Sequence, residues 1–294
     1  MTGASIIKTE RSFGFLIIDG FLSSDVNNED EYHPNLAGGS MKPSFAIIGC
    51  GRVGTAFARH LAGAGYQPVG FASRRQESAK AVAIQAGAPD KWAADTREAA
   101  RQAQILLVTT PDGAIADVCR KIAERGGIQK DAVVLHCSGA LASTILSPAA
   151  AIGAFIGSMH PLQSFAGDRP GNPFAGIMMA VEGDAIAVDT AVAMASDLGA
   201  TPFTIQTDKK TLYHAAAVAA SNYLVTLMSF AVDLMAASGA PREEAFRILK
   251  PLVTGTLGNV ETLGSIDALT GPIARGDLDT VVAHIAAIEN LSAD

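Results

Sequence analysis

The 294-residue chain is poor in charge and in aromatic rings. Charged residues make up 17% and aromatic residues 6%, with one tryptophan. The charge leans acidic, 22 Lys and Arg against 29 Asp and Glu, a formal net charge of −7. With no basic excess and no block of like charge, the electrostatic footprint of a nucleic-acid binder or of a protein drawn to anionic membrane is missing. Cysteines are few and scattered, at Cys50, Cys119 and Cys137. They have neither the C-x-x-C spacing of a zinc or redox site nor the density of a disulfide framework, so a cytoplasmic protein is expected. The six histidines show no H-x-x-x-H or H-E-x-x-H spacing, and no metal site is expected. No secretory signal is read, because the apolar run Phe13–Ile18 is short and ends at Asp19. The one stretch long enough to span a membrane, Ala215–Ala237, is interrupted by Ser221, Asn222 and Asp233. A core or dimer helix is therefore expected there, with no membrane.

Apolar residues make up 49%, enough to bury a sizeable core. Residues 1–42 stand apart in composition, with an acidic run at Asn27–Glu31 and a linker-like Gly38-Gly39-Ser40. They read as an extension outside the core fold. From Phe45 onward, short continuous apolar runs alternate with helix-period stretches. The runs are Phe45–Ile48, Pro68–Phe71, Ile105–Val108 and Ala132–Leu135. That alternation predicts a doubly wound, mostly parallel sheet covered on both faces, an α/β Rossmann domain over 43–205. Ala154–Met159, Ile177–Val181 and Pro202–Ile205 read as further strands, and Asp184–Leu198 as a helix. After Asp208 the pattern is all helix, giving an all-α C-terminal domain over 206–294 for substrate binding and dimerisation. Helices are expected at Lys209–Ser238, Arg242–Lys250, Val253–Leu263 and Asp277–Leu291.

Gly49-Cys50-Gly51-Arg52-Val53-Gly54 ends the first strand and opens a helix. In that context the three glycines suit a dinucleotide, serving the tight turn, the close approach to a pyrophosphate and the helix–strand packing. An NAD site expects an acid about 20 residues past the loop. Ser73-Arg74-Arg75 stands there instead, and guanidinium and hydroxyl groups suit a 2′-phosphate, so NADP(H) is the expected cofactor. Thr109, Thr110 and Pro111 follow one strand and Ser138 follows another, on the expected nicotinamide side of the crevice.

With these residues assembled, the sequence resembles Rossmann-like oxidoreductases whose C-terminal helical half is a domain of unknown function, relatives of pyrroline-5-carboxylate reductase, ketopantoate reductase and deazaflavin-dependent NADP oxidoreductases. The resemblance runs from about Ser44 to Leu291. It is carried by Ile48–Gly54, Leu135–Ala140, Met159–Phe165, Tyr213–Ala217 with Ala220–Tyr223, and Leu269–Asp277. It implies an NADP-binding domain and a helical domain that often dimerises. Ketopantoate reductase and the hydroxyacid dehydrogenases carry a catalytic Lys on the first long helix of that domain, with an Asn one turn later. Here His214 is near the Lys place and Val218 stands four residues on, with Lys209 and Lys210 just upstream. That departure argues against a simple ketone-reductase mechanism.

Reduction of a carbonyl or imine needs a hydride donor and a group that protonates or stabilises the product. His160, in a segment expected to be a loop after a strand, and His214 are the candidate acids. Ser138, Gln163, Ser221 and Asn222 are candidate polar anchors, with His214 and Ser221 sharing a face if the helix is regular. The leading expectation is an NADP(H)-dependent oxidoreductase acting on a small polar carbonyl, hydroxyl or imine compound, as a homodimer through its C-terminal helices. The alternatives are a catalytically silent NADP-binding dimeric module or sensor, and a deazaflavin-linked NADP reductase.

Overall fold

The computed structural model describes residues 41–165 and 171–291; the extension expected over 1–40 lies outside them. Four apolar runs become the parallel strands β1 (Ser44–Ile48), β2 (Gln67–Ala72), β3 (Ile105–Val108) and β4 (Val133–His136), joined on the far side by β5 (Phe155–Pro161). Strands β6 (Met178–Gly183) and β7 (Thr201–Thr204) complete a seven-stranded sheet of order β2-β1-β3-β4-β5-β6-β7. Only the β5–β6 pairing is antiparallel. The central strands β3 and β4 are buried at every position, the pattern of a sheet covered on both faces.

Helix α1 (Arg52–Gly63) and helix α2 (Gln76–Gln85) follow β1 and β2, and the short α3 (Thr96–Ala100) precedes β3. Helix α4 (Asp112–Glu124) follows β3 closely, with Pro111 as its N-cap. A 3₁₀ turn at Ser143–Leu146 leads into α5 (Ser147–Ala150), and α6 (Ala185–Asp197) links β6 to β7. Two apolar layers result. One lies beneath α1, α2 and α6, with Phe57, Leu61, Phe174 and Met194; the other lies beneath α4 and α5, with Ile115, Ile122 and Leu146. Lys42 pairs with Asp197 at 2.6 Å, so the packed fold already includes this residue.

The helical half begins with α7 (Lys210–Val218), passes through a π turn at Ala219–Tyr223 and continues as α8 (Leu224–Ala237). The two helices expected at Arg242–Lys250 and Val253–Leu263 form one element, α9 (Arg242–Asp267), which runs through Pro251 and bends at Gly264, where φ is +79°. Helices α10 (Gly271–Arg275) and α11 (Leu278–Leu291) close the chain. Asp277 caps α11, accepting from Thr280 N and Thr280 Oγ1. Beyond Thr207, only Lys210, Ala245 and Ala268 are buried among the described residues.

Candidate functional site

The glycine loop lies at the carboxyl edge of the parallel strands, where open α/β sheets take ligands. Its three glycines have different physical reasons. At Gly49, φ is +112° and a Cβ would meet the Thr109 carbonyl carbon at 2.7 Å. At Gly54, a Cβ would sit 2.1 Å from the Gly49 carbonyl oxygen, so helix and strand touch through it. Gly51 is the opposite case. Nothing lies within 4 Å of a Cβ placed there, so packing does not demand glycine, and the open backbone suits the close approach of a pyrophosphate. The first turn of α1 carries no acid. The loop therefore fits a nicotinamide dinucleotide.

Thr109 braces this loop by donating to the Gly49 carbonyl at 2.6 Å, which occupies its hydroxyl. The Thr110 hydroxyl is buried without a partner. Cys50 is nearly buried, with its thiol directed at the Ala72 carbonyl; burial pushes its pKa to about 12, so it is structural and unreactive. Val53 packs on the core beneath α1.

Beyond β4 and β5, five side chains and one glycine come together. His160 lies within β5 itself, a correction to its expected loop position. Its Nδ1 is 2.7 Å from the Tyr213 hydroxyl on α7. The His160 and His214 rings meet edge to face with centroids 6.2 Å apart. Gly139 lies against both, since a Cβ there would be 2.7 Å from His214 Nδ1 and 2.8 Å from His160 Nε2. Buried His214 Nδ1 has no hydrogen-bond partner. Ser138 Oγ donates to Asp112 at 2.8 Å, and Asp112 is a site residue the sequence reading did not single out. Burial, reinforced by the Lys210 charge, lowers the His160 pKa to about 4, so this imidazole is neutral at pH 7.

Lys210, named from sequence only as a residue just upstream of the family's Lys place, has a definite environment here. It is 1% exposed, donates to Ser158 Oγ and lies 3.5 Å from Glu182. Ser158 and Glu182 face each other across the β5–β6 pair, and Ser143 donates to Glu182 through both its backbone N–H and its hydroxyl. Burial acts against the Glu182 carboxylate, yet hydrogen bonds from Ser158 and Ser143 and the Lys210 charge outweigh it and hold the pKa below normal. Lys210, Tyr213 and His214 are spaced i, i+3 and i+4, so one face of α7 clasps alternate residues of β5. That spacing was the available signal.

Other expected residues sit elsewhere. Ser221 and Asn222 are exposed within the π turn. The turn adds a residue to the helix, so the 3.6-residue spacing that would align His214 with Ser221 does not carry across it. Gln163 and Arg52 line a cleft of about 780 Å³ beside the glycine loop, together with Arg59, His60 and Arg75. Ser73 and Arg74 do not line it. No group of three or more His, Cys, Asp or Glu suited to a metal ion occurs among the described residues.

The parallel sheet followed by a helical half defines a class of protein, and sequence-family comparison bears out that class. One family model, a Rossmann-like domain, matches residues 33–161, and a second, a domain of unknown function (DUF2520), matches residues 177–294. The chain is a Rossmann-like domain followed by a DUF2520 domain. Among solved structures, a Bacteroides fragilis protein provisionally named an NADP oxidoreductase is 24% identical with a TM-score of 0.69, covering 86% of this chain and 93% of that one. An imine reductase from a Pseudomonas species is 19% identical with a TM-score of 0.63, covering 85% and 86%. A pyrroline-5-carboxylate reductase from Coxiella burnetii is 14% identical with a TM-score of 0.57, covering 86% and 93%. All three share its fold. No curated protein matches the sequence.

Proposed function

We propose that the protein is an NADP(H)-dependent oxidoreductase that transfers hydride between nicotinamide and a small carbonyl, hydroxyl or imine compound. The observation that carries this reading is the pairing of an open glycine cradle at Gly51 with two unpartnered buried polar atoms, Thr110 Oγ1 and His214 Nδ1. Buried polar groups without partners are costly, and a bound ligand that meets them removes that cost. The glycine loop and the N–H groups opening α1 would hold the pyrophosphate, and Arg52 and Arg75 would face the adenylate end. When bound, the cofactor supplies the hydride.

The protein's own residues position the acceptor and handle its proton. Gly139 keeps the backbone close enough for His160 and His214 to face one space. Tyr213 and His160 share a proton at the 2.7 Å contact between the phenol and Nδ1. Because His160 is neutral at pH 7, it serves as a hydrogen-bond donor or relay and not as a charged acid. That favours an imine acceptor within the proposed class, since an imine is basic enough to take its proton from water beforehand and accept hydride as the iminium, giving a neutral amine, whereas a carbonyl becomes an alkoxide that must be protonated within the site. The names of the imine reductase and pyrroline-5-carboxylate reductase support the same choice.

The silent-module reading has one observation in its favour. The only lysine among the clustered site residues, Lys210, is sequestered by Ser158 and Glu182. Following NADPH absorbance with panels of cyclic imines, ketones and deazaflavin decides between them. Consumption with an imine is the expected result. Tight NADPH binding with no consumption in any panel would favour the module.

A homodimer through the C-terminal helices belongs to the same proposal. From Leu212 onward eighteen large apolar side chains stay exposed, among them Phe230, Leu252, Ile266 and Val282. The helical segment Thr207–Ala237 is also long and apolar enough to cross a membrane by length and composition. Its Ser221, Asn222 and Asp233 favour a protein partner, and a second copy offers the matching apolar face.

A further inference from the structure

We infer that Arg59, on the third turn of α1, is a specificity-determining residue that joins Arg52 and Arg75 in gripping the adenosine 2′-phosphate of the cofactor. The inference rests on the NADP(H) reading above. The cleft of about 780 Å³ shares Cys50 and Gly51 with the dinucleotide loop, and its basic lining is Arg52, Arg59, Arg75 and His60. Among the described residues its lining holds no Asp or Glu. Among the other described arginines, Arg120, Arg125, Arg242 and Arg247 meet a carboxylate, while Arg74, Arg97, Arg101 and Arg275 do not and line no part of the cleft. Arg52, Arg59 and Arg75 form no ion pair among the described residues, so three cations line one concavity with no counter-charge from the described residues.

Helix geometry brings them together. Arg52 and Arg59 are seven residues apart on one face, about 10 Å along the axis. Helical side chains lean toward the N-terminus and cover the preceding turn, so Arg59 reaches back over Thr55, another residue of the cleft wall, toward Arg52. Arg75, the N-cap residue of α2, enters from the facing side. A phosphate monoester has three oxygens and up to two negative charges, which suits several guanidinium forks at once. A 2′-hydroxyl has no charge to offer, so the discrimination falls on NADP(H) over NAD(H). Arg74, the strand-end arginine next to Arg75, stands outside the cleft.

Calorimetric titration of the full chain with NADP⁺, NAD⁺ and adenosine 2′,5′-bisphosphate tests this. Arg59→Ala is expected to weaken NADP⁺ and the bisphosphate about tenfold more than NAD⁺, and Arg59→Lys to restore part of the loss. Arg59 is exposed on a helix and alanine favours helix, so the variant should fold, which far-ultraviolet circular dichroism verifies. If Arg59→Ala keeps the wild-type preference for NADP⁺ over NAD⁺, the inference is overturned and the NADP(H) reading stands. If the wild type itself binds both nucleotides equally, or neither, the NADP(H) reading falls and takes the role of Arg59 with it.

Discussion

A lysine with 1% exposure must be matched by its surroundings, and Lys210 is matched by Glu182 and Ser158. Removing one partner of a buried pair leaves the other charge stranded. Lys210→Met is expected to cost about 3–5 kcal/mol in urea unfolding, and a double change with Glu182→Met to recover a large part of it. For His160→Ala and Tyr213→Phe the prediction is different. Each should lower kcat on any accepted substrate while NADPH affinity, read by fluorescence titration, stays near wild type. Fully buried His136 accepts from Ser138 N at Nδ1, and burial lowers its pKa to about 4. The unfolded chain, with an ordinary histidine near 6.5, binds the proton first as pH falls. Stability is therefore full above about 6.5 and is lost as pH drops toward 4, about 2 kcal/mol between pH 7 and pH 5 from this residue alone. Unfolding midpoints at the two pH values read that slope, and His136→Asn should remove its share while the similar share of His160 remains.

At the scale of elements, the glycine loop separates packing from binding. Gly54→Ala should destabilise the fold, because its Cβ would strike the Gly49 carbonyl and backbone cannot step aside cheaply. Gly51→Ala meets open space with φ at −85°, so thermal unfolding should change little while nucleotide binding is lost. The sheet, the glycine loop and most helices were legible in the sequence because apolar period and glycine spacing act locally. His160 and His214 could be named from sequence, but their meeting against Gly139 depends on how α7 docks on β5. Lys210 was hidden because its partners, Ser158 and Glu182, pair only through the antiparallel β5–β6 register. The face shared by His214 and Ser221 failed because the π turn has no signature in the apolar period. Nothing in the local pattern marks Arg59, because the segments around Gln163 and Asn172 that wall the cleft with it are more than 100 residues away in sequence.

For the whole molecule, the contrast is between a sheet domain with two apolar layers and helices α8, α9 and α11, of which only Ala245 is buried. Light scattering after gel filtration without detergent is expected to give a dimer at micromolar concentration. Phe230→Asp should shift it toward monomer, while a monomeric wild type or one that requires detergent would count against the pairing. The reversal of β6 has its own outcome. Parallel neighbours need a long crossover to the opposite rim, usually a helix, whereas an antiparallel neighbour can be reached by a tight hairpin. The chain between Pro161 and Met178 is far longer than a hairpin requires, and its described residues Gln163 and Asn172 wall the cleft beside the glycine loop. Ligand selection can thus be rewritten by insertion or deletion in that one connection, with strand register left alone, which makes it the natural place to graft new substrate preference onto this scaffold.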